Sequence, residues 1–174
     1  MVGSGQEPLP TKIYVPDVSN PRAPFLLTAG STAASLYSSV LVGDHIYGPG
    51  TNGDYAFIKW TPTAITTMGT GKSGSDRGGY CTYQSGFVIC GQSSEGYKKW
   101  DVHNDAKPTL VGHGTDPAGV GGDFDFATIL GNLVYLGNDH GTGAALIPHQ
   151  MGPDNTAPTV VQIFPSDGDT KQAL

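Results

Sequence analysis

Few residues in this chain combine a reactive type with a useful spacing. Asp123 and Asp125 lie two apart in Gly121-Gly122-Asp123-Phe124-Asp125-Phe126. Residues i and i+2 of a strand face one side, so the two carboxylates could share a cation, and an oxygen-only donor set points to calcium. Neither this segment nor Asp167-Gly168-Asp169 completes the D-x-[DN]-x-[DN]-G loop, and Asp/Asn/Gly clusters also make turns without metal. Both readings stay open. Asp139 and His140, in Asn138-Asp139-His140-Gly141, suggest acid–base work or ligand binding. As strand neighbours they would point to opposite faces, so spacing does not make them a pair. Cys81 and Cys90 are the only cysteines and lie symmetrically about Ser85-Gly86. A hairpin turning there sets 84 against 87, 83 against 88, 82 against 89 and 81 against 90. A non-hydrogen-bonded pair brings Cα atoms to about 4.5–5.5 Å, which a disulfide accepts. The alternative is two small buried hydrophobes.

Other constellations are missing or incomplete. Met68-Gly69-Thr70-Gly71-Lys72-Ser73 ends like a phosphate loop, but Thr66 stands where the Walker pattern needs Gly, so it reads as a Gly-rich loop. There is no G-x-S-x-G elbow and no H-E-x-x-H. His45, His103, His113 and His149 stand alone in turns or strands. No catalytic residue is assigned. Ten tyrosines and tryptophans, from Tyr14 to Tyr135, could form a sugar-stacking or protein-binding surface. Trp60 and Trp100, 40 apart in similar surroundings, point instead to packing.

The scaffold that must hold these groups is rich in chain breakers. The 174 residues include 26 Gly and 13 Pro, and 14% are charged against a norm of about 25%. Helical bundles and coiled coils are excluded by that spread of Gly and Pro. No run approaches the ~20 apolar residues of a membrane helix. Nine basic against fifteen acidic residues, a net charge of −6, leave no basic footprint for nucleic acid and little for anionic membranes. Met1-Val2-Gly3-Ser4-Gly5 lacks the regions of a signal peptide, and residues 1–11 read as a leader or linker.

An internal repeat organises the rest. Asp17, Val18, Asn20 and Pro24 recur as Asp101, Val102, Asn104 and Pro108, all at an offset of 84. Gly43-Asp44-His45-Ile46-Tyr47 corresponds to Ser85-Gly86-Phe87-Val88-Ile89 at 42, and then to Gly131-Asn132-Leu133-Val134-Tyr135. Small turn-forming pairs flanked by apolar residues are tight hairpins. The clearest unit predicts strands over 79–84, 87–91, 97–102 and 108–113. Four antiparallel strands every ~42 residues is the arithmetic of a β-propeller blade, so the expected fold is all-β, with about three and a half blades.

Val15-Pro16-Asp17-Val18-Ser19-Asn20-Pro21-Arg22-Ala23-Pro24-Phe25-Leu26-Leu27 resembles the signature of LVIVD repeats, propeller blades of bacterial and archaeal surface or secreted proteins. The likeness spans residues 12–152 and weakens after the first and third units. It implies an extracellular or cell-surface binding or scaffold module without enzymatic activity, with a protein or carbohydrate ligand. Secreted context would favour the Cys81–Cys90 bond. Residues 153–174 leave two readings: a linker and first strand of a bacterial Ig-like module, on the likeness of Ala157-Pro158-Thr159-Val160, or the last strand of the final blade. Because propellers close with four to eight blades, two readings stay open: the chain is part of a longer propeller, or a homodimer completes a seven-bladed ring. The competing function is a fragment of a propeller hydrolase or lyase with a metal-assisted site at the channel mouth near Gly122–Asp125 and Asn138–His140.

Overall fold

The computed structural model describes residues 12–114, 124–138, 143–148 and 162–165. Among the described residues, fourteen strands are arranged as four antiparallel sheets. The first sheet pairs β1 (Lys12–Asp17) with β2 (Phe25–Ser31). The second runs β3 (Val40–Val42), β4 (His45–Pro49), β5 (Asp54–Thr61) and β6 (Ala64–Lys72). The third runs β7 (Cys81–Gln84), β8 (Phe87–Gly91), β9 (Tyr97–Asp101) and β10 (Thr109–Gly114). The fourth runs β11 (Phe126–Leu130), β12 (Leu133–Gly137), β13 (Gly143–Pro148) and β14 (Gln162–Pro165). Each is a meander in chain order. The only helical turn among the described residues is a 3-10 turn at Ser93–Glu95.

The 42-residue period is a register fact as well as a sequence pattern. The β1–β2 ladder slips between Val15 and Pro16, the β5–β6 ladder between Phe57 and Ile58, and the β9–β10 ladder between Lys99 and Trp100. These points are 42 apart, and the extra residue on the outer strand is Leu27, Met68 or Val111. One bulge thus recurs in three sheets, and bulges set local twist. β1 and β2 correspond to the third and fourth strands of the complete sheets. Asp17 and Asp101 do the same work in their units: each accepts the backbone N–H two residues on, from Ser19 at 2.8 Å and from His103 at 3.0 Å.

The register also corrects the expected equivalence of Trp60 and Trp100. Trp100 pairs with Val88, and the residue in that place on β5, opposite Ile46, is Ile58. Trp60 corresponds to Val102. Counting from the hairpin turns, rather than matching residue types, gives the true alignment. The outer strand of the second sheet brings another correction. Met68 to Lys72 is strand, not loop. Its glycines serve close packing: a Cβ on Gly71 would meet the Trp100 ring at 2.4 Å, and one on Gly69 would meet Pro108 at 2.7 Å. Gln162–Pro165 pairs with β13 as the outer strand of the fourth sheet.

The core lies between the sheets. Ile13 of β1 packs with Ile46, Ala56 and Ile58 of the second sheet. Tyr47, Tyr55 and Phe57, on the other face of that sheet, pack with Val88, Cys90 and Trp100 of the third. Ile89 and Tyr97 then pack with Phe124, Ala127, Val134 and Leu136. Strands covered on both faces lose the polar alternation, which is why β4 and β8 read as apolar runs. Two Gly residues test the turns. Gly43 and Gly86 both have positive φ, +59° and +83°. A Cβ at Gly43 meets nothing within 4 Å, whereas one at Gly86 would sit 2.3 Å from the His103 ring. Gly43→Ala should therefore cost about 1–2 kcal/mol from backbone conformation alone, and Gly86→Ala more, with urea unfolding as the measurement.

Candidate functional site

Where the second and third sheets meet, their hairpin turns and the loop after β9 enclose an open pocket of about 570 Å³. Its lining includes Val42, Tyr47, Tyr83 and Val102 as an apolar floor, with His45, Ser85, His103 and Asp105 as polar members. The two-residue turns position it. Gly43-Asp44 places His45 at the start of β4, and Ser85-Gly86 carries the opposite wall. Ser85 itself takes a positive φ of 47°, unusual for a residue with a side chain. His45 stacks on Tyr47 at 5.8 Å, and Tyr47 on Tyr83 at 6.2 Å, giving a row of rings that crosses from one sheet to the next.

The charged groups are mutually engaged. His45 Nδ1 lies 2.7 Å from Asp44 Oδ1 and Nε2 lies 2.8 Å from Asp105 Oδ2. Carboxylate oxygens only accept, so both contacts are hydrogen bonds only when both ring nitrogens carry a proton. Lys59 Nζ approaches the other Asp44 oxygen at 3.3 Å, and its hydrogen bond holds the Asp44 carboxyl below the ordinary range. His103 Nδ1 is 2.8 Å from Asp101 Oδ1. Burial works against ionisation of Asp101, yet the backbone N–H and ring of His103 hold its carboxyl below the usual range. Burial and the nearby Asp105 push the Tyr47 phenol up to about 12, so it stays neutral near pH 7.

Of the residues singled out from sequence, Asp123, Asp139 and His140 lie outside the described residues. Asp125 precedes β11 rather than lying on a strand. Its buried carboxylate takes the Arg77 guanidinium at 3.1 Å, and Arg77 in turn lies 4.9 Å from the centre of the Tyr37 ring. Cys81 and Cys90 stand opposite each other in the β7–β8 ladder with their sulfurs bonded. Contrary to the expectation that they stand alone, His45 and His103 each face a carboxylate. For His103 the signal was present: Asp101-x-His103 is the same two-residue spacing as Asp17-x-Ser19. For His45 the partner comes from a neighbouring sheet, 60 residues on, and no local spacing announces it.

The arrangement defines a class: stacked four-stranded antiparallel sheets with a polar–aromatic pocket at one inter-sheet rim. No protein-family model matches the chain, and no curated protein matches it. Solved structures share the fold. A candidate 6-phosphogluconolactonase of Bacteroides fragilis NCTC 9343 aligns over 96% of this chain and 55% of its own, with a TM-score of 0.73 and 10% identity. A functionally unknown protein of Desulfotomaculum acetoxidans DSM 771 aligns over 90% and 50%, at 0.65 and 13%. The computationally designed Ika8 protein aligns over 92% and 45%, at 0.65 and 8%. At such identities the likeness is of fold alone, and the chain spans about half the length of these three structures.

Two outcomes follow from the polar contacts. Asp44, Asp76, Glu95 and Asp101 all have carboxyls held below the ordinary range. Their contribution to stability is present above the unfolded-chain value of about 4 and lost as pH falls through the folded values. The urea midpoint should therefore fall steadily below about pH 4, and Asp101→Asn, which keeps the turn acceptor, should shallow that fall. Separately, Tyr55 Oη donates to the buried Gln92 Oε1 at 2.6 Å. Tyr55→Phe removes that donor and should cost about 1–3 kcal/mol in equilibrium unfolding.

Proposed function

We propose that the chain is a non-enzymatic binding module of propeller blades acting outside the cell, with a carbohydrate-type ligand held in the pocket between the second and third sheets. The observation that carries this reading is the pocket's make-up. Tyrosine rings and valines form a floor for an apolar ring face, while Ser85, His103 and Asp105 offer hydrogen-bond groups around it. A concave site of this size suits a small ligand better than the flat patch of about 800 Å² per partner typical of a protein interface. The imidazoles are tied to carboxylates and the Tyr47 phenol is neutral, which favours recognition over proton transfer. The bonded cysteine pair supports an oxidising compartment.

The propeller reading is supported by the repeated meander and by the bulge recurring at 42-residue intervals. The LVIVD likeness enters through Asp17 and Asp101, whose turns match. Under this reading the sheets amount to three and a half blades, and two copies make seven. Sedimentation should then give twice 18.1 kDa; a stable monomer excludes the two-copy ring. Ligand binding is tested with a panel of mono- and disaccharides followed by NMR. The expected result is saturable shifts at Tyr83 and His103 that Tyr83→Ala removes. Binding that leaves those signals unmoved, or no binding across the panel, overturns the carbohydrate assignment.

A further inference from the structure

We infer that His45 is a proton-dependent latch between the second and third sheets, closing the pocket rim when protonated and releasing it as pH rises. Hydrogen-bond chemistry alone drives this latch, whichever ligand the pocket takes.

A neutral imidazole has one N–H and one lone pair. Between two carboxylates, that lone pair must face an acceptor, and one of the two contacts becomes repulsive. Protonated His45 satisfies both, at 2.7 and 2.8 Å. The two carboxylates are not equivalent. Asp44 adjoins His45 in the same turn and is also held by Lys59. Asp105 comes from the loop after β9 and forms its ion pair with His45 across the sheet boundary. Loss of the proton therefore releases Asp105, the contact that joins the sheets.

The surrounding groups narrow the cause of such a transition. Lys59 faces Asp44 from β5, and Tyr47 stacks on the ring from β4. Tyr83 lies beyond Tyr47 on β7, and the Asp101–His103 pair lines the third-sheet side. With the Tyr47 phenol held up near 12, it keeps its proton through the neutral range. His103 is the other imidazole of the pocket lining; its side chain is 62% exposed and its carboxylate partner, Asp101, lies on its own strand end, so that contact does not span the two sheets.

Hydrogen exchange of the whole protein between pH 5.5 and 9 tests the latch, with rates corrected for intrinsic chemistry. Backbone amides of residues 102–107 are the reporters and the Trp100 amide within β9 is the internal reference. Exchange at 102–107 should rise on the order of tenfold across that range, the scale of one charge-assisted hydrogen bond, while Trp100 stays constant. Asp105→Asn is the decisive variant. Its side-chain N–H₂ can donate to the neutral ring, so the loop should stay protected and the pH response should flatten. His103→Asn should keep the response. A flat profile in the unaltered protein, a full response in Asp105→Asn, or loss of it in His103→Asn overturns the latch. Imidazole nitrogen NMR supplies the second readout: His45 must lose its proton over the pH range in which the loop opens, and opening without that loss overturns it too.

Discussion

The inner strands of the second and third sheets are covered on both faces, and most of the architecture follows from that requirement. β4 sends Ile46 towards the first sheet and Tyr47 towards the third. β8 sends Val88 back to the second sheet and Ile89 on to the fourth. A strand of this kind cannot alternate apolar and polar residues, and a sheet of such strands is unstable without neighbours on either side. Fully burying a side chain such as Phe57 or Ile89 is worth about 1.5–3 kcal/mol, so stacking, rather than any single ladder, holds the sheets. The glycine excess has a second use in this light. Gly71 and Gly114 lie on outer strands where the rings of Trp100 and Tyr97 lie against the backbone, and a Cβ there would come within 2.4 Å of the ring atoms.

The same requirement explains an apolar residue left in the open. Leu41 of β3 stands where the third sheet has Tyr83 and the fourth has Ile129, judged by their partners Ile46, Val88 and Val134. Tyr83 and Ile129 pack against the preceding sheet. Leu41 remains 56% exposed, because the preceding sheet has only β1 and β2 among the described residues. β1 meets the open side with Pro16, whose missing N–H lies at the position where Trp100 pairs inward with Val88. Proline on an edge strand discourages further pairing.

What the sequence reveals is whatever is local to one unit. The hairpin turns at Gly43-Asp44, Ser85-Gly86 and Gly131-Asn132 are legible because positive φ demands such residues, and the register of 81 opposite 90 follows by counting from the turn. The Asp17 and Asp101 turns are legible for the same reason. Packing between units is not. Gly69 and Gly71 look like loop residues until Pro108 and Trp100 are placed against them. His45 looks solitary until the third sheet brings Asp105 beside it. Trp60 and Trp100 seem equivalent by type, yet the ladder aligns Trp100 with Ile58. A repeat tells where each unit's residues sit and leaves unstated what the next unit lays on top.

In a repeat scaffold, then, positions shared by all units report on packing, and chemistry is to be sought where equivalents differ. At the first residue after the tight turn, the third sheet has Phe87 and the fourth has Leu133, both apolar, while the second has His45. Two residues past the capping Asp, the first unit has Ser19 and the third has His103. Both departures from the repeat fall in the same pocket, on opposite sheets. Apolar packing would have been served by repeating Phe or Leu at position 45. An imidazole there instead draws in carboxylates from two sheets, trading buried apolar surface for a contact whose strength depends on a proton. That coincidence of two repeat-breaking histidines marks the rim between the second and third sheets as the place where this scaffold departs from pure packing.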